Sequence, residues 1–242
     1  MRIALISDQH ANDVAFRAVS DDVERIGVDR IICLGDVAQG GSQPRAVLDR
    51  LASLGCDTII GNADAFLIGR PDAFEDATED HFAVREWTLR QLSERHLEQI
   101  RSFQETITLD VEGETILCFH GSPRSYNDVL LPEGETDTTP WRVDAAVLAG
   151  GHTHRQWTRR IDGALFVNPG SVGVTYDHHD ASEAEVELEP VAEYAVVYVE
   201  DGAAAVDFRR VAYPLTELRD VLLGSGRPRA DEFAAQYRDH SR

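Results

Sequence analysis

The sequence predicts an α/β protein, and three observations carry that prediction. Over the first sixty residues, short apolar runs alternate with stretches of helical periodicity, the pattern of successive β-loop-α units. Each of those apolar runs leads into a polar residue able to bind a ligand: Asp8, Asp36 and Asn62. Farther along, Asp162-Gly163 and Asp201-Gly202 separate strand-like runs as two-residue hairpin turns. With 242 residues, 43% of them hydrophobic, the chain can bury a sizeable core without disulfide staples.

In chain order, Arg2 to Ser7 is the first expected strand, running into Asp8-Gln9-His10. Val14, Ala15, Ala18, Val19, Val23 and Ile26 lie at helical spacing, so a helix is expected from Asn12 to Ile26 with Gly27 as its stop. Arg30 to Leu34 is a second strand, ending in Gly35-Asp36. Pro44 opens a helix that runs to Leu54 and is closed by Gly55. Asp57 to Ile60 is a third strand, ending in Gly61-Asn62. In open α/β sheets, ligands bind beyond the carboxyl ends of strands, and here three strands in a row end in metal-binding residue types. Glu79 to Phe103 is charged and amphipathic and predicts one or two helices that form a cap or side element. Thr106 to Phe119 reads as a hairpin whose second strand ends in His120-Gly121, and Ser122 to Pro140 as a polar loop. Ala145 to Ala149 has the length of a buried strand. Trp157 to Val167 is another hairpin, followed by a tight Asn168-Pro169-Gly170-Ser171 loop. Residues 177–193 read as an acidic, solvated loop, Tyr194 to Arg209 as a third hairpin, and Thr216 to Leu223 as a last helix capped by Gly224. The tail, 226–242, is polar and expected to fray. No internal repeat or linker interrupts the sequence, so 1–242 is read as one domain.

All 23 basic residues are arginine; against 43 acidic residues they leave a formal charge of −20. Such a surface repels nucleic-acid backbones and anionic membranes, so neither a stable nucleic-acid complex nor a membrane partner is expected. A high-salt cytoplasm and a GC-rich genome both account for the arginine usage. Cys33, Cys56 and Cys118 lie far apart in or beside apolar runs, with no Cys-x-x-Cys, as in a reduced, cytoplasmic protein. The first apolar run is too short for a signal peptide, and no later run approaches the length of a membrane span.

The stretch after Ala149 concentrates the chemistry: Gly150-Gly151-His152-Thr153-His154. Two histidines at i and i+2 would face opposite ways if the strand continued. The paired glycines allow a bend, so both imidazoles can converge on one point. Together with the other strand-end residues they make a set of seven: Asp8, His10, Asp36, Asn62, His120, His152 and His154. Seven protein ligands are too many for one catalytic ion, which needs an open position. They suit two divalent ions that share a carboxylate and clamp the oxygens of a phosphoryl displacement. Mixed imidazole, carboxylate and amide ligation favours manganese, with iron, nickel or zinc as alternatives, over calcium or a dedicated magnesium site.

In order, Asp8-Gln9-His10-Ala11-Asn12, Gly35-Asp36, Gly61-Asn62-Ala63-Asp64, His120-Gly121-Ser122-Pro123, Gly151-His152-Thr153-His154 and Asn168-Pro169-Gly170-Ser171-Val172-Gly173 resemble the motifs of the calcineurin-like metallophosphoesterases. More narrowly, they are similar to the compact bacterial and archaeal phosphodiesterase branch. The resemblance implies a two-sheet mixed β-sandwich flanked by helices. It assigns Asp8, His10 and His154 to one metal and Asn62, His120 and His152 to the other, with Asp36 bridging, and it implies a metal-activated hydroxide as nucleophile. Asp36, His120 and Asn62 then carry the catalytic centre.

Two departures stand out. Many relatives have histidine where this chain has Ala63, and an alanine can neither bind phosphate nor protonate a leaving group. Asp8-Gln9-His10-Ala11 also departs from the usual Asp-x-His-Gly, with Ala11 in place of glycine. Asn12, Arg124 and Arg155 are candidate phosphate contacts, and His178 or His179 are candidate proton donors; His81, His96 and His240 are read as surface residues. The expected function is hydrolysis of small phosphate esters, most naturally diesters. The alternatives are a phosphomonoesterase or dinucleoside polyphosphatase, and a metal-binding scaffold with little catalysis. The amphipathic 79–103 segment is a candidate surface for a homo-oligomer.

Overall fold

The computed structural model describes residues 1–242 except 75–76, 134–135, 137–140, 142–143, 177–186, 201 and 239–242. Its elements are β1 (Arg2–Ile6), α1 (Asp13–Ile26), β2 (Arg30–Cys33), α2 (Pro44–Leu54), β3 (Asp57–Thr58), α3 (Asn62–Leu67), α4 (Glu79–Gln91), α5 (Glu94–Arg101), β4 (Ile107–Val111), β5 (Glu114–Cys118), β6 (Val147–Ala149), β7 (Gln156–Ile161), β8 (Ala164–Pro169), β9 (Thr175–Tyr176), β10 (Leu188–Glu189), β11 (Val191–Glu200), β12 (Ala203–Ala212), α6 (Leu215–Gly224) and α7 (Ala230–Ala235). Two five-stranded mixed sheets, in the orders β12-β11-β1-β2-β3 and β4-β5-β6-β8-β7, form the body, with β9 and β10 as a separate pair.

Strand alternation decides which side chains go where. On β1, Ile3 and Leu5 face the second sheet, while Ala4 and Ile6 face the helices. On β11, Ala195, Val197 and Val199 enter the inter-sheet core, and Tyr194 and Val196 the helical side. The second sheet does the same: Ile116, Cys118, Val147 and Ala149 point inward, and Leu117, Phe119 and Leu148 point to an outer cluster with Trp157 and Phe166. The apolar runs of the sequence are therefore strands buried on both faces. α1 packs on β11 and β12 and against α2, closing the outer face of the first sheet.

The topology places the site. β1, β2 and β3 run parallel, and so do β5, β6 and β8. The carboxyl ends of both parallel sets meet at one edge of the sandwich, where the polar strand-end residues gather.

Three expectations are corrected. A helix, α3, begins directly at Asn62, where no element was expected; at six residues it is too short to announce itself by periodicity. The end of the acidic stretch is ordered: Leu188 is buried, and Val191 to Glu193 already belong to β11. The tail does not fray up to Arg238, because Tyr237 is 1% exposed and its segment bridges to Leu188. Among the described residues, no helix is long and apolar enough to cross a membrane.

Candidate metal centre

Each ligand candidate sits two to five residues beyond a strand, Asn62 at the start of α3 and the others in turns that hydrogen bonds tie to one another. The Asp8 and His10 N–H groups donate to Gly35 and Asp36 carbonyls, both at 2.9 Å. Gly151 N–H donates to His120 C=O at 2.8 Å, and His152 N–H to Asp8 Oδ2 at 3.2 Å. These turns force unusual backbone: Asp8, His10, Asp36, His152 and His154 all have positive φ. Left-handed non-glycine residues are uncommon and cost energy, so their concentration at one point marks a site the rest of the fold holds in place. Gly61 is required for closeness rather than for φ, since a Cβ there would lie 2.0 Å from Asp36 Oδ1.

Two groups of side chains converge, Asp8-His10-His154 and Asp36-His120-His152, with ligand atoms within 4.8 Å of one another in each. Asp8 Oδ1 lies 3.3 Å from His154 Nε2 and 3.8 Å from His10 Nε2. Asp36 Oδ2 lies 3.6 Å from His10 Nε2 and 3.4 Å from His120 Nε2, so one oxygen faces both groups. Asn62 Oδ1 stands 3.0 Å from His120 Nε2.

The tautomers are set from behind. Nδ1 of His10, His120 and His154 contacts the carbonyls of Gln39 (2.8 Å), Leu34 (2.7 Å) and Val174 (2.8 Å). A carbonyl only accepts, so each Nδ1 carries a proton, and Nε2 is the nitrogen turned to the site, where the neutral ring would offer its lone pair to a metal. In their neutral forms His10 Nε2 and His154 Nε2 are two acceptors 3.0 Å apart. Among the described residues, Asp8 Oδ1 is buried without a hydrogen-bond donor. Lone pairs aimed at one another around an orphaned carboxylate oxygen call for a cation, and the donor set fits a divalent transition metal.

The electrostatics agree. Burial would raise the carboxyls of Asp8 and Asp36, but the surrounding imidazoles hold both below the usual carboxylate range. Burial would lower His120, but Asp36 outweighs it and lifts it to about 9. His152 is pushed down to about 4 by burial and by its neighbour His120. The centre is a concentrated negative potential that attracts positive charge, proton or metal.

Residues with no role assigned from the sequence hold this frame. Asp64 Oδ1 accepts from Val37 N–H (2.9 Å) and Ala38 N–H (3.3 Å), and its Oδ2 from Gly61 N–H (3.3 Å). It thereby ties the Asp36 loop to the Asn62 loop. Asn168 Nδ2 donates to Gly151 C=O at 2.7 Å, and Ser171 Oγ donates to Asp8 C=O at 2.9 Å. Their signal was present as motif residues, but their side chains act on backbone that is distant in sequence.

Asn12 is corrected as a phosphate contact. It is buried, its Oδ1 caps α1 through Ala15 N–H at 3.1 Å, and its Nδ2 donates to Gly173 C=O at 2.9 Å. Both polar ends are committed to the fold. Arg124 is exposed and lines a cavity of about 440 Å³ that also includes His120, Arg70 and Tyr126. Arg155 faces Glu133 at 3.9 Å. His81 is exposed, but His96 is 4% exposed, with its Nε2 3.2 Å from Asp49 Oδ1, which corrects its reading as a surface residue. His178, His179 and His240 lie outside the described residues.

Residues 1–190 match the family model for the calcineurin-like phosphoesterase superfamily domain, a stretch that includes every ligand candidate. A metallophosphoesterase from Sphaerobacter thermophilus is 28% identical, with a TM-score of 0.74 over 98% of this chain and 97% of its own. A hypothetical protein from Pyrococcus horikoshii shares the fold at 18% identity, with a TM-score of 0.79 over 96% of this chain and 97% of its own. An uncharacterized protein of Methanocaldococcus jannaschii is 25% identical over 72% of this chain and 71% of its own length.

Proposed function

The chain belongs to the calcineurin-like phosphoesterase superfamily, and from that membership we propose that it is a dinuclear metal-dependent phosphodiesterase acting on small phosphate esters. The observation that carries the reading is the position of Asp36, whose Oδ2 faces His10 of one ligand group at 3.6 Å and His120 of the other at 3.4 Å. A single carboxylate shared between two groups is what a two-ion site requires.

Asp8, His10 and His154 would hold one ion, Asn62, His120 and His152 the other, and Asp36 both. Bound divalent ions lower the pKa of water and neutralise charge on phosphoryl oxygens. The protein fixes the imidazoles of His10, His120 and His154 through their Nδ1 protons and keeps the carboxylates ionised, so the ligand set needs little rearrangement to act. Arg124, on the exposed side of His120, offers a guanidinium fork for a phosphate oxygen. Ala63 supplies no proton, and general acid assistance is typically worth ~10²–10⁴ in rate. Esters with good leaving groups are therefore the favoured substrates. The charge of −20 favours small substrates over long polyanions.

The test is turnover of bis(p-nitrophenyl) phosphate and p-nitrophenyl phosphate by metal-stripped protein titrated with Mn²⁺, alongside Asp36→Asn. The expected result is metal-dependent hydrolysis, faster for the diester, and lost by at least ~10²-fold in the variant. Faster monoester turnover would make the protein a phosphomonoesterase. Bound metal with no turnover of either ester would make it a scaffold, the reading that Ala63 favours.

A further inference from the structure

A cavity of about 280 Å³ opens beside His10 and His154. Phe66, Phe74, Tyr176 and Phe233 give it a largely aromatic wall, and Ala63 contributes only a methyl. Among the described residues its one arginine is Arg227, from the segment between α6 and α7, beyond the residues 1–190 that match the family. Ser225 Oγ accepts from Arg227 N–H at 3.0 Å, and beyond α7 Tyr237 OH donates to Gly173 C=O at 3.0 Å.

The Arg227 guanidinium lies over the Phe233 ring, with Cζ 4.6 Å from the centroid. Its Nε donates to Gly40 C=O at 2.5 Å and its Nη1 to Pro228 C=O at 2.7 Å. Among the described residues no carboxylate pairs with it, in a chain with 43 acidic residues and 23 basic ones. Burial pushes its pKa down to about 10, which leaves it cationic at neutral pH. A sheltered cation whose partners are neutral carbonyls is costly unless an anion completes it. Here it sits in the same cavity as the ligand histidines, among aromatic rings suited to stacking.

We propose that this cavity seats a flat aromatic ring carried close to the scissile phosphate, with Arg227 holding an anionic oxygen of the same molecule. The substrates are then aromatic, not alkyl, phosphate esters. This rests on the proposed phosphoesterase activity and names the substrate class for it. Arg227 acts as a binding residue supplied by the C-terminal segment, and Phe233 supports both the ring and the guanidinium.

The experiment is calorimetric binding of phenylphosphonate and methylphosphonate to Mn²⁺-loaded protein, with ester turnover measured on the same sample. Burying a phenyl ring predicts at least ~10-fold tighter binding of phenylphosphonate. Phe233→Ala should cut that preference to below about threefold, because phenylphosphonate loses more affinity than methylphosphonate does. Arg227→Gln should weaken both ligands by ~10-fold or more. Equal binding of the two phosphonates in an enzyme that hydrolyses phosphate esters would overturn the cavity assignment and leave the activity standing. Unchanged binding in Arg227→Gln would do the same. Absence of both turnover and binding would remove the activity as well.

Discussion

At the residue scale, the ligand candidates depend on groups that touch no substrate. Asp64 is the clearest of these. Burial and the nearby Asp36 raise its carboxyl to about 7, yet three backbone N–H groups still point at it. An asparagine cannot accept with both side-chain ends, so Asp64→Asn should release either the Asp36 loop or Gly61. Loss of such supporting contacts typically costs ~10–100-fold in metal affinity or activity. The expected outcome is a loss of that size in Mn²⁺ affinity, read by competition with a chelating dye, with unchanged far-UV circular dichroism. Unaltered affinity would show that Asp64 does not position the site. The candidate ligands were legible because the sequence places them at strand ends in a fixed order. Asp64 and Asn168 were not, because their work is to hydrogen-bond backbone that only the fold brings near. Asn12 misled for the same reason: a buried cap and an exposed phosphate ligand share one residue type, and only the neighbours decide.

At the element scale, the site is a set of turns pressed against one another. Gly61 precedes α3 with an ordinary φ of −92°, so alanine meets no backbone penalty there. The obstacle is steric, because the new Cβ would lie 2.0 Å from Asp36 Oδ1 and 2.4 Å from Asp36 N. Gly61→Ala should displace the shared carboxylate and lower kcat/KM by ~10² or more, the usual consequence of misplacing a catalytic group by about 1 Å. Steady-state kinetics beside a thermal melt would check this; retained activity would mean the two loops need not touch. The strands and the longer helices were readable from periodicity, as were the hairpins from their turns. The six-residue α3 was hidden by its brevity. The C-terminal segment was hidden by its polar composition, which outweighed its anchors, Phe233 and Tyr237. α4, expected as a cap or side element, lends His81 and Val84 to the wall of the cavity beside His10.

At the scale of the whole molecule, an acidic chain must hold together against its own charge. One buried carboxylate does so through donors gathered from its own helix and from two strands. Asp22 on α1 accepts from Arg209 Nε at 2.9 Å and Tyr194 OH at 2.5 Å, and also from Arg25, tying the helix to β11 and β12. Burial would raise its carboxyl, but these donors outweigh it and bring it to about 2. Its pKa is thus lower folded than unfolded. The stabilisation is full above about pH 4 and is lost as pH falls through about 2. Asp22→Asn should cost ~2 kcal/mol at pH 7 and progressively less toward pH 2, as read from urea unfolding across that range. A difference independent of pH would mean that the variant loses packing rather than charge.

The central claim is that Asp36 joins two ions into one catalytic centre. Its most direct test is to titrate metal-stripped protein with Mn²⁺, recording bound metal and diester turnover in the same samples. The account predicts saturation at two equivalents, with turnover rising on filling of the second site, and loss of the second equivalent in Asp36→Asn. Saturation at one equivalent with full turnover would contradict it.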